Sequence, residues 1–252
     1  MRENKLRTIW ADGGTALNGW LHIPSAWSAE VMAHAGWDSV TVDMQHGMMG
    51  TETAILMLQA LSTTNVVPLL RVNWNEPGVV MKMLDAGAMG IICPMIDTRE
   101  QCEAFVGAVR YPPLGYRSLG PTRARVYAGA DYAEHANDTV LAIAMVETKA
   151  GLESVAEIAA TPGLDGIMIG AGDLRFSMFG EVGLDGAGEE FKAALQRILD
   201  ACTANDIVGG IFTASPEYAR EMIANGFRFV TVKSDTLILT EFAKKMVDEA
   251  RG

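Results

Sequence analysis

Residues 66–94 read VVPLLRVNWNEPGVVMKMLDAGAMGIICP and carry one complete strand–helix–strand repeat. The run VVPLLRV at 66–72 is apolar almost throughout, as a parallel strand covered on both faces must be. Glu76-Pro77 is good first-turn chemistry for a helix over 76–85. Gly87, following Ala86, reads as a left-handed helix stop. GIICP at 90–94 is the next buried strand.

The same alternation continues in both directions. Further strand-like runs are 19–23 (GWLHI), 39–43 (SVTVD), 140–147 (VLAIAMVE), 166–170 (GIMIG), 207–212 (IVGGIF) and 229–233 (FVTVK). Helical patterns fall at 25–35, with Ser25 as N-cap, and at 51–61, 98–109, 151–160, 189–203, 216–224 and 235–249. About eight β-then-α units predict an α/β fold, a (β/α)₈ TIM barrel forming a single domain over 1–252. An open doubly wound sheet is the second reading. The irregular stretch 110–138 is long enough to be functional or an interface.

Composition narrows the function classes. Of 252 residues, 49% are hydrophobic and 20% charged, which excludes a disordered chain. The net charge of −11 argues against nucleic acid as a partner. No apolar run approaches the roughly 20 residues of a membrane helix, so no membrane partner is expected. The N-terminus MRENKLRTIWADGG lacks a signal-peptide pattern. Cys93, Cys102 and Cys202 are scattered and odd in number, as buried thiols of a reduced, cytoplasmic compartment would be.

In a barrel the chemistry belongs where strands finish. Glu147 and Asp173 end adjacent strands, and two carboxylates without other protein ligands suit an oxygen-loving cation such as Mg²⁺ or Mn²⁺. The plainer reading makes Asp173 a helix cap and Glu147 a flanking residue. His46 is either a general base or a hydrogen-bonded structural residue. Arg71, at the mouth of an apolar strand, must find an anion. A substrate carboxylate would serve, and so would an internal pair with Asp43 or Glu147. Gly170-x-Gly172 before a short helix lets backbone amides approach an anion but does not fit a dinucleotide motif. Trp20 either walls a pocket or packs in the core. Arg110, Arg117, Arg123 and Arg125 lie in an acid-free segment, and acids on a neighbouring subunit are the favoured partners.

The ordered segments AGWDSVTVDMQHG, the stretch from VVPLLRV to MIDTREQ, VRYPPLGYRSLG, MVETKAGLESVAEIAATPGLDGIMIGAGDL and the C-terminal KSD resemble the HpcH/HpaI family of class II pyruvate aldolases. The resemblance spans nearly the whole chain. It implies a (β/α)₈ barrel, a hexamer built as a trimer of dimers, and a C-terminal helix (about 235–250) exchanged between subunits. It implies a divalent metal ion (Mg²⁺ or Mn²⁺, with Co²⁺ as a third choice) held by Glu147 and Asp173. Pyruvate and an aldehyde are the implied substrates. Arg71 would bind the pyruvate oxygen, with the backbone at Gly172 and Asp173 holding its carboxylate and Trp20 and Gln45 beside it. His46, paired with Asp85, would be the acid/base. This chain departs from the family at Gln45 (usually Glu), Ala171 (often Pro), Arg175 (usually small) and Lys233 (often Gly). Arg175 and Lys233 would both reach an anionic end of the aldehyde. Asp85 ends a helix, which in a barrel is the face away from the site.

The expected reaction is reversible cleavage of a 4-hydroxy-2-oxo acid, of the 2-keto-3-deoxy acid type, to pyruvate and an aldehyde. A cation and Arg71 would meet the charge of the enolate as it forms, with His46 as base. The rivals are a Schiff-base aldolase using Lys233, a lyase of acyl-CoA thioesters, and a non-catalytic 2-oxo-acid-binding barrel.

Overall fold

In the computed structural model, eight parallel strands close into a single barrel in chain order among the described residues, 1–186 and 188–252. The chain runs α1 (Lys5–Ala11), β1 (Ala16–Leu21), α2 (Ala26–Ala33), β2 (Ser39–Asp43), α3 (Thr51–Leu61), β3 (Val67–Arg71) and α4 (Pro77–Asp85). It continues with β4 (Gly90–Cys93), α5 (Arg99–Val109), α6 (Thr122–Ala128), α7 (Tyr132–Thr139), β5 (Leu141–Val146), α8 (Lys149–Glu153) and α9 (Val155–Ala159). The last elements are β6 (Gly166–Ile169), α10 (Ala171–Phe179), α11 (Glu189–Ala204), β7 (Val208–Thr213), α12 (Pro216–Ala224), β8 (Phe229–Val232) and α13 (Asp235–Arg251). The (β/α)₈ reading holds and the open sheet is excluded, because β1 pairs with β8.

Local chemistry sets most helix boundaries. Ser25 Oγ accepts from Ser28 N, and the Glu76 carboxylate accepts from the amides of Gly78 and Val79. Thr98 and Gln101 form a reciprocal capping box at the start of α5. Gly87 stops α4 at φ +103°, a conformation that would strain any other residue.

Three expectations need correction, and one helix is unanticipated. The first strand begins and ends earlier than 19–23, so His22 lies just beyond it. Residues 5–11, with no strand-like pattern, form a helix capped by Asn4. The stretch 110–138 is not structureless but holds α6 and α7. The helix expected at 151–160 starts earlier, on the Thr148 cap, and breaks at Ser154 into α8 and α9.

The barrel interior is partly polar. In β2, Ser39, Thr41 and Asp43 alternate with Val40 and Val42, so one set faces the axis and the other the helices. Ser39 and Thr41 donate to Asn18 Oδ1, and Asn18 Nδ2 donates to Thr231 Oγ1. This buried network fills the middle of the barrel on its β1–β2–β8 side, below the strand ends. Every residue of β2 is buried, and its axis-facing positions are polar and hydrogen-bonded.

Candidate active site

The C-terminal strand ends surround a cavity of about 190 Å³. It is smaller than the roughly 300–1,000 Å³ that accommodates drug-sized ligands, and suits small substrates. Trp20, His46, Arg71, Glu147, Gly172 and Asp173 line it together, although they come from five different strand–helix units.

Asp43 organises one side. The β2–β3 register sets it directly beside Arg71. Arg71 Nε donates to Oδ1 at 2.8 Å and Nη2 to Oδ2 at 2.6 Å, a bidentate pair. Asp43 also accepts from Trp20 Nε1 at 3.0 Å and from the backbone amides of Gln45 and His46, and sits 2.9 Å from His22 Nε2. Burial pushes the Asp43 carboxyl up. Hydrogen bonds from His22, Arg71 and Trp20, with the Arg71 charge, outweigh it and hold the carboxyl well below the usual range. So Arg71 forms the internal pair with Asp43. Its third nitrogen, Nη1, meets only Met145 Sδ at 3.6 Å and has no oxygen partner among the described residues. The Trp20 ring lies 4.9 Å from the guanidinium carbon, so Trp20 both packs in the core and walls the cavity.

Glu147 follows β5 and is 1% exposed. Its Oε1 accepts from the Met95 amide at 2.8 Å. A side chain at Gly170 would collide with Oε2, so the glycine makes room for the carboxylate. Burial pushes Glu147 up to about 7, and the like charge of Asp173 adds to the shift, against the Met95 hydrogen bond and Arg71. A buried carboxylate near a second carboxylate, in a cradle that excludes a Cβ, fits an oxygen-loving cation that both would hold. Among the described residues no group of three or more His, Cys, Asp or Glu is placed to hold a metal; on this side of the cavity the carboxylates are Glu147 and Asp173.

Asp173 lies in the first turn of α10, whose N-cap, Gly170, gives no side-chain hydrogen bond. Gly170, Ala171, Gly172 and Asp173 all line the cavity, so the free amides at this helix start border it. His46 lines the opposite side and is exposed. Gln45 Oε1 is buried without a hydrogen-bond partner among the described residues. His22, which the sequence reading placed inside a strand, also lines the cavity. Its Nδ1 is 3.3 Å from Thr236 Oγ1. The polar type of a residue just past an apolar run was the signal that could have found it.

Other expected residues stand apart. Asp85 ends α4 at the opposite end of the barrel and accepts from Arg117 Nη2 at 2.8 Å, so within the chain it does not pair with His46. Arg110 binds Asp165 at 2.5 Å, and Arg123 donates to Ala86 O and Ser62 Oγ. Three of the arginines assigned to a neighbouring subunit thus find partners inside the chain, because α6 and α7 fold the segment back onto the barrel. Lys233 pairs with Glu241, and Arg175 with Glu181 at 2.9 Å; neither lines the cavity. Lys233 also has φ +59°, the left-handed region where glycine is at ease. A larger hollow of about 630 Å³ lies at the N-terminal strand ends, beside Arg7, Asp165 and Arg228. Arg7 is consumed by Asp165 and Arg228 donates to Trp10 O, so the smaller cavity is the chemically equipped one.

Residues 19–241 match the family model for HpcH/HpaI aldolase/citrate lyase. The chain is 37% identical over 249 residues to a hydroxypyruvate/pyruvate aldolase from Rhizorhabdus wittichii, covering 99% of each. It is 30% identical to a 4-hydroxy-2-oxo-heptane-1,7-dioate aldolase from Escherichia coli, covering 97% of this chain and 94% of that one. A crystal structure of an HpcH/HpaI aldolase/citrate lyase family protein from Burkholderia cenocepacia J2315 superposes with a TM-score of 0.91 at 32% identity, covering 99% of this chain and 100% of that one. The chain belongs to the HpcH/HpaI aldolase/citrate lyase family and is a carbon–carbon lyase of the aldolase kind.

Proposed function

We propose that the enzyme reversibly cleaves a 4-hydroxy-2-oxo acid to pyruvate and an aldehyde, with a divalent cation such as Mg²⁺ or Mn²⁺. The observation that carries this reading is the convergence of Glu147, Asp173 and the free Nη1 of Arg71 on one small cavity. Glu147 and Asp173 would hold the cation, which when bound supplies positive charge against which an enolate can form. Arg71 Nη1 donates to the ketone oxygen of the substrate, its guanidinium fixed by Asp43. The amides at the start of α10 hold the carboxylate. His46 accepts the proton of the C4 hydroxyl as the C4 carbonyl forms and the C3–C4 bond breaks, and it returns that proton to C3 of the enolate to give the pyruvate methyl group. Trp20 and Phe212, edge to face at 5.6 Å between centroids, keep water from the enolate.

The test is pyruvate release from synthetic 4-hydroxy-2-oxo acids, coupled to lactate dehydrogenase. EDTA should abolish it, and Mn²⁺ or Mg²⁺ should restore it. Glu147→Ala and Asp173→Ala should lose turnover and Mn²⁺ binding by calorimetry; an active variant that binds no metal refutes the reading. The same assay separates an enzyme from a non-catalytic binder. Lys233, bound to Glu241 outside the cavity lining, gives no support to a Schiff-base route. The buried free thiols support a reducing, cytoplasmic setting, and a hexamer assembled through α13 completes the proposal.

A further inference from the structure

We propose that the aldehyde half of this site takes a short, uncharged aldehyde and discriminates against an anionic one of equal length; the proposal rests on the aldolase reading above. The carboxylates and Arg71 occupy the β3–β5–β6 side of the cavity. The aldehyde partner is therefore left with the β7–β8–β1 side. That side is built from Phe212, Leu237 and Trp20, while Leu184, from the segment after α10, lines the cavity beside Gly172.

Among the described residues no free cation faces this wall. His22, its one polar side chain, has Nε2 against Asp43 at 2.9 Å and Nδ1 against Thr236 Oγ1 at 3.3 Å, so both ring nitrogens are engaged. Arg175 is clasped by Glu181 and donates from Nη1 to Gly186 O at 2.8 Å. Lys233 is clasped by Glu241. Both ion pairs cancel charge in the segments that flank the mouth, and the whole chain carries −11. A distal carboxylate would be desolvated against apolar side chains with no partner, whereas an alkyl end would be buried favourably.

Butanal and succinic semialdehyde share a four-carbon chain and differ in the terminal charge, so they isolate this effect. The enzyme with pyruvate and Mn²⁺ should give a kcat/KM for butanal about tenfold or more above that for succinic semialdehyde, read as aldol product by mass. Glu181→Gln combined with Glu241→Gln should narrow the ratio, chiefly by lowering the KM for succinic semialdehyde. Equal or better use of succinic semialdehyde by the native enzyme overturns the proposal, and an unchanged ratio in the double variant overturns the role of the two ion pairs. Mn²⁺-dependent exchange of the pyruvate methyl protons in D₂O, followed by NMR without any aldehyde, reports on the aldolase reading alone. If exchange occurs and butanal is not preferred, only the specificity falls. If exchange is absent, the aldolase reading falls and takes the specificity with it.

Discussion

Glu147 shows how one buried carboxyl links stability to chemistry. Its folded-state pKa, about 7, lies above the ordinary 4.5. Between those values the native state holds a proton that the unfolded chain has released, so stability falls as pH rises through the window. The full effect is about 3–4 kcal/mol, from roughly 1.4 kcal/mol per pKa unit. In EDTA, urea unfolding should therefore show lower stability at pH 8 than at pH 5 from this group, and Glu147→Gln should flatten the slope. Saturating Mn²⁺ should restore the native protein at pH 8 and leave the variant unmoved. Asp43 makes the opposite case, since it must stay ionised to pair with Arg71. Asp43→Asn leaves that guanidinium buried and unpaired, at a cost of about 3–5 kcal/mol in denaturant unfolding. The same change should reduce kcat/KM, because Arg71 loses the partner that fixes its Nη1.

At the scale of elements, boundaries are set by caps and backbone conformation. Removing the Thr98 side chain in Thr98→Ala should cost about 1 kcal/mol, measured as a lower unfolding midpoint, since the reciprocal bonds with Gln101 start α5. Lys233, between β8 and α13, is held in a left-handed conformation. Lys233→Gly should relieve about 1 kcal/mol of backbone strain. The loss of the bridge to exposed Glu241 offsets only part of this. The variant should melt at a higher temperature and retain aldol turnover, an outcome incompatible with a Schiff base on this lysine.

For the whole molecule, closure of the barrel leaves no free sheet edge among the described residues, so any surface for association lies on helices and loops. Helix α13 stands out from the barrel, with Leu239 and Phe242 about 60% exposed in the single chain. If α13 builds the proposed hexamer, Leu239→Glu with Phe242→Glu should lower the mass measured by light scattering toward a smaller species, with the circular dichroism of the barrel retained. An unchanged mass would remove α13 from the interface.

The alternation of strand and helix was legible in the chain because its signals are local. Apolar runs such as GIICP, caps such as Ser25 and Thr98, and glycines such as Gly87 act over a few residues. The candidates Arg71, Glu147 and Asp173 were legible for the same reason, as polar residues at or just beyond the ends of apolar runs. His22 was hidden by a displaced strand boundary, which put a residue of the cavity inside a strand. Asp43 was legible only as one of two partners for Arg71. Its choice over Glu147, the inward partners of Arg110 and Arg117, and the separation of Asp85 from His46 were decided by the tertiary structure. Each depends on barrel closure, which brings together groups far apart in sequence, and no local pattern records which distant charge will be nearest when both are buried.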